Sequence, residues 1–116
     1  MEQSQHLRIL QVVQGFPPEF IGGTELYCRA LTTTLHDRGH SCFVLAGSYA
    51  PAQAPAFVTT NDEVFTVARY VSPLPPIWRE HQHDPYNPEA ENVIRHYLQL
   101  VQPEVIHLHH WMRLTT

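Results

Sequence analysis

The sequence predicts an α/β fold, a Rossmann-like three-layer sandwich with a mostly parallel sheet. Three observations carry that expectation. Short apolar runs at 7–13 and 41–46 have the pattern of strands buried on both faces, and 104–108 reads as a further strand. Helix-period segments lie between them at 26–35 and 93–101. A glycine pair, Gly22-Gly23, stands where the first strand gives way to the first helix, an arrangement that leaves bare amides and the positive end of a helix dipole for an anion.

The elements follow in order. Residues 7–13 read Leu-Arg-Ile-Leu-Gln-Val-Val, ended by Gly15 and by Pro17-Pro18, which cannot continue a strand. Thr24 is the expected N-cap of the first helix, and Glu25 sits in its first turn, where a carboxylate suits the dipole. Leu26, Tyr27, Ala30, Leu31 and Leu35 form the expected buried stripe. Arg38 closes the last turn and Gly39 takes the C′ position. Residues 41–46 give a second buried strand, so the chain opens as a βαβ unit.

Residues 47–62 read as loop, with Pro51 and Pro55. Residues 63–71 read as a third strand, at or near a sheet edge, with Arg69 and Tyr70 exposed. The proline-rich segment 72–88 carries Trp78, Arg79, His81 and His83 and is expected to be irregular. Asn87-Pro88-Glu89 is a helix start. Val93, Ile94, Tyr97, Leu98 and Val101 then form the stripe of a second helix, stopped by Pro103. The last strand, 104–108, leads into His109, His110 and Trp111.

Composition narrows the function classes. The 116 residues, 43% hydrophobic and 16% charged, suit one domain or part of one. A net charge of −4 argues against a nucleic-acid surface. Cys28 and Cys42, both in predicted regular elements, suit a reducing compartment more than a disulfide framework. The first residues, Met-Glu-Gln-Ser-Gln, lack the basic and apolar regions of a signal peptide, and no apolar run approaches a membrane span, so a cytoplasmic location is expected. An open α/β sheet places another helix after a strand such as 104–108. None is read before Thr116, so the chain is expected to be the leading part of a larger domain.

In a sheet of order 3-2-1-4, ligands bind outside the carboxyl ends of the strands at the switch point. The glycine loop and the His109 strand end are the two neighbours there. His107 is expected to point away from His109, toward the core.

Taken together, Gly-Phe-Pro-Pro, three residues, Gly-Gly-Thr-Glu, a helix ending Arg-Gly-His, and later Pro-Glu-Val-Ile-His-Leu-His-His-Trp resemble the N-terminal domain of GT-B-fold glycosyltransferases of family 4. The resemblance covers nearly the whole chain, although residues 47–88 supply no motif. It implies transfer of a sugar, of hexosyltransferase type, from a nucleotide-diphosphate sugar to an acceptor hydroxyl, with retention and with no metal or other cofactor required. It further implies that Gly22 and Gly23 approach the donor diphosphate and that His109 reaches the transferred sugar. Thr24, Glu25, His110 and Trp111 complete the expected substrate-binding set. Glu25 has three roles open to it: orienting the loop, capping the helix or touching acceptor. The partners so implied are the nucleotide sugar, an unidentified acceptor and a C-terminal domain beyond residues 1–116 that holds the nucleotide. Without that domain the chain is expected to be inactive, and any membrane contact is expected only through the acceptor. Two other classes compete. A strand-terminal His-x-His also opens the metal sites of hydrolase barrels, and a Rossmann-like module need not be catalytic.

Overall fold

The computed structural model describes residues 6–19, 21–48, 53, 56–60, 63–71 and 88–109, the side chains of 88–90 excepted. Seven elements follow one another: β1 (Arg8–Val13), α1 (Gly23–Asp37), β2 (Ser41–Gly47), β3 (Ala56–Thr60), β4 (Thr66–Val71), α2 (Pro88–Val101) and β5 (Val105–Leu108). The five strands form one sheet in the order β3-β4-β2-β1-β5. β1 pairs in parallel with β2 and with β5, and β2 in parallel with β4. Only β3 runs antiparallel, against β4.

Period-2 alternation in the strands divides the core between the two faces. Val13, Val44, Ala46 and Val67 meet Phe16 and Cys28 on the α1 side. Leu10, Val12, Leu45, Ala68 and Tyr70 meet Ile94, Tyr97 and Val101 of α2 on the other. Helix, sheet and helix therefore make the three layers that the sequence predicts. Gly39, with φ of 96°, turns the chain out of α1 into β2, a left-handed conformation that favours glycine.

Several expectations are corrected. Residues 47–62 are not all loop, because Ala56–Thr60 is the edge strand β3. β4 lies next to that edge strand, in keeping with a near-edge position, but its Arg69 and Tyr70 are buried, at 6% and 3% exposure. The helix stripe is also different. Glu25, Cys28 and Thr32 face the sheet, whereas Leu26 and Tyr27 are exposed. Thr32 tolerates burial because its hydroxyl donates to the Cys28 carbonyl at 2.6 Å. Thr24 is not the cap; Gly22 is, and no side chain caps this helix. The stripe of α2 does match, with Ile94, Tyr97 and Val101 buried.

Among the described residues no helix is long and apolar enough to cross a membrane. An apolar groove of about 570 Å³ lies between β3 and α2, lined by Phe57, Val93, Tyr97 and Leu100 among others. None of the predicted site residues lines it.

Candidate functional site

The parallel pairing of β1 with β5 decides where the site lies. Val12 pairs with Leu108, so the next residues, Val13 and His109, leave the sheet side by side. The ladder continues one step further, since the His109 amide donates to the Val12 carbonyl at 2.7 Å. After β1 the chain runs through residues 14–22 into α1. The N-terminus of α1 and the His109 imidazole thus meet at one edge of the sheet: the Tyr27 ring, in the second turn of α1, lies edge-on to the His109 ring at 6.0 Å.

The glycine pair separates into two different residues. Gly22 has φ −154° and ψ −177°, extended backbone that any residue adopts. A Cβ there would stand 2.7 Å from Glu25 Oε1, the end of a flexible side chain, which would have to shift to admit it. Glu25 is buried, and its Oε2 accepts a hydrogen bond from Gln14 Nε2 at 3.3 Å. The carboxylate therefore ties the first turn of α1 back to the end of β1. A Cβ on Gly23, by contrast, would meet nothing within 4 Å. Among the described residues nothing fills that space. The first helical bond runs from the Leu26 amide to the Gly22 carbonyl at 2.9 Å. The amides of Gly23, Thr24 and Glu25 precede it and have no partner within the helix.

The loop before the helix is held from β4. Arg69 donates from Nη1 to the Phe16 carbonyl at 3.0 Å and from Nη2 to the Pro17 carbonyl at 2.7 Å. Glu19 lies 3.7 Å from the same guanidinium and accepts a hydrogen bond from the Ser48 hydroxyl at 2.8 Å. Pro17-Pro18 is a cis peptide. Phe16 is fully buried, edge-on to Phe65. From the sequence, Pro17-Pro18 is expected to break the strand and forms part of the family-like motif, but the anchoring of this loop by Arg69 is not foreseen.

His109 is half-buried, and its Nε2 lies 2.7 Å from Gln11 Oε1. His107 does not point away from it, as expected; the two rings are 4.1 Å apart and tilted by 36°. Residues two apart in a strand share a face, and here that face carries both imidazoles. Burial, and then the neighbouring His107, hold the His109 pKa below its ordinary 6.5. The ring is accordingly neutral at neutral pH, able to accept a hydrogen bond or a proton.

The structure thus brings Gly22, Gly23, Thr24, Glu25 and His109 to one edge. His110 and Trp111 lie outside the described residues, as do His81, His83, Trp78 and Arg79. Among the described residues no three histidine, cysteine or carboxylate side chains converge as metal ligands do. Sequence reasoning missed Gln11 and misplaced Tyr27. A lone polar residue inside a strand buried on both faces was the available signal for Gln11, since such a group demands a partner. Tyr27 had been assigned to the core, but its place beside His109 leaves it more than half exposed.

Fold and site together define a Rossmann-like α/β domain whose candidate site lies at the carboxyl ends of β1 and β5, where open α/β sheets bind ligands. The family model for Glycosyltransferase Family 4 matches residues 21–116. The chain belongs to that family, and the match takes in Gly22 through Glu25 and His109 through Trp111. A comparison with curated proteins and one with solved structures each found no match.

Proposed function

We propose that this chain is the acceptor-side domain of a retaining glycosyltransferase of GT-B architecture. In the complete enzyme a second domain holds a nucleotide-diphosphate sugar against the edge just described, and a hexosyl group passes to an acceptor hydroxyl in a cytoplasmic reaction of carbohydrate biosynthesis. The observation that carries this reading is the meeting of the α1 N-terminus with the His109 ring, bridged by Tyr27. The departing diphosphate gains negative charge, which free amides and a helix dipole stabilise without needing a metal. Gly23 gives that group room, because among the described residues nothing stands within 4 Å of where its Cβ would be. A neutral His109 accepts a hydrogen bond from a sugar hydroxyl and keeps it oriented. Thr24 and Glu25 border the same edge, Thr24 through its unpaired amide and Glu25 by anchoring the turn. His110 and Trp111 follow His109 directly and are assigned to substrate contact on the family resemblance.

On this reading residues 1–116 alone have no transferase activity, because the nucleotide-holding half is separate. The test is sugar transfer from a labelled nucleotide-sugar panel by the protein carrying both domains. His109→Ala is expected to lower turnover about 10²-fold, the loss typical of a transition-state contact. Gly23→Val is expected to abolish donor use while leaving the fold intact. Wild-type turnover in folded His109→Ala together with normal donor affinity in Gly23→Val refutes the assignment.

A further inference from the structure

Gln11 lies on β1, between β2 and the edge strand β5, and has no exposed surface. A carboxamide there is costly unless both its ends are paired. Only one end is: Oε1 faces His109 Nε2 at 2.7 Å, and Nε2 has no partner among the described residues. An apolar side chain of the same size would remove the unpaired donor and cost the core nothing. Sheet stability therefore gives no reason for glutamine at this position, whereas His109 does.

The rest of the His109 environment fixes where the ring sits. Its backbone amide is bonded to Val12. His107 stacks on one side, and the Tyr27 edge abuts another. None of these contacts chooses which ring nitrogen carries the proton. The Gln11 contact does. A carbonyl oxygen at 2.7 Å is an acceptor, so the nitrogen facing it must be the N–H. We propose that Gln11 is a positioning residue that holds His109 in the Nε2-protonated tautomer, leaving Nδ1 as the acceptor for a substrate hydroxyl. Only the identity of that hydroxyl, on a sugar, rests on the transferase reading above.

The arrangement is a two-residue device spanning 98 positions of the chain. Gln11 is not titratable, so it sets the ring's polarity without adding charge. The titratable groups in ring contact with His109 are His107, from its own strand, and Tyr27, from α1. Glu25, also on α1, is engaged with Gln14.

The experiment is nitrogen NMR on the ¹⁵N-histidine-labelled chain, with the His109 signals identified by their loss in His109→Asn. The two neutral tautomers give distinct shifts for the two ring nitrogens. Wild type is expected to be a single Nε2–H species. Gln11→Met is expected to lose that preference and give averaged shifts. Gln11→Glu, whose carboxylate still accepts from Nε2–H, is expected to keep the tautomer and raise the His109 titration midpoint by about one pH unit. An Nδ1–H ring in wild type, which a reversed carboxamide would produce, overturns the proposal. So does an unchanged tautomer and midpoint across both variants. The measurement needs neither donor nor acceptor. A negative result here removes the role of Gln11 and leaves sugar transfer standing, while a failed transfer assay with the expected spectra does the reverse.

Discussion

Arg69→Met tests what holds the loop that leads into α1. The guanidinium is buried and donates to two main-chain carbonyls, Phe16 and Pro17, on a segment 53 and 52 positions away. Methionine keeps much of the aliphatic volume and removes both donors. A hydrogen bond to a charged group contributes about 1.5–3 kcal/mol, and a buried carbonyl left unpaired costs about 1–3 kcal/mol. Loss of the stack over Phe16, whose ring centroid lies 6.0 Å from the guanidinium carbon, adds roughly 0.5–1 kcal/mol. Relief of arginine's own desolvation offsets part of this, giving a net cost of about 3 kcal/mol. Domains of this size unfold with roughly 6–17 kcal/mol, so the change removes a substantial share. The expected fall in melting temperature is about 12 °C, at roughly 4 °C per kcal/mol. The assay is urea and thermal unfolding by circular dichroism, with amide exchange to localise the effect to the loop. Glu19→Gln is the control. That pair is 3.7 Å apart with a partly exposed carboxylate, so its loss is expected to cost under about 1 kcal/mol. A loss below about 1 kcal/mol in Arg69→Met, or equal losses in the two variants, refutes the carbonyl-clamp argument.

Two further outcomes follow from the titratable groups. Burial pushes the Cys28 thiol up to about 11 and Cys42 above its ordinary value. Both thiols are therefore expected to react with a disulfide reagent at pH 8 about 10²-fold more slowly in the native chain than in urea; equal rates would contradict the burial. His109 has its pKa lowered on folding, so the unfolded state binds its proton more readily. Its contribution to stability is complete above pH 6.5 and is lost as pH falls through the lower folded value. The urea midpoint is expected to drop less between pH 7.5 and 5 in His109→Gln than in wild type, and identical pH dependence would count against the ring's burial.

Much of the fold was legible because buried strands announce themselves as β-branched runs, and β1 and β2 do so; β5 was legible from its apolar residues although all four of its residues are exposed at the sheet edge. The stripe of α2 was legible for a similar reason, since its partners are all apolar. The stripe of α1 was not. Its sheet-facing positions include Glu25 and Thr32, whose burial depends on Gln14 and on a main-chain carbonyl, and hydropathy alone assigns such residues to solvent. Arg69 was read as exposed for the same reason: only the folded loop supplies the carbonyls that make its burial tolerable. β3 was hidden by the prolines before it, although Phe57-Val58-Thr59-Thr60 has strand character. The site's location was legible from topology, because parallel neighbours end at one edge. The pairing of Gln11 with His109 was not, since register is set by the whole sheet.

The placement of β5 beside β1 also fixes an order of assembly. The βαβ unit of β1, α1 and β2 closes over a short span, but the other neighbour of β1 is distant in sequence, with the Arg8 amide bonded to the Glu104 side chain across 96 positions. Contacts that distant are slow to form. During synthesis the first strand emerges long before residues 105–108, its partner on that side. His109 follows on the same late strand, and thermal fraying of that strand would separate its ring from Gln11 while most of the sheet stayed intact.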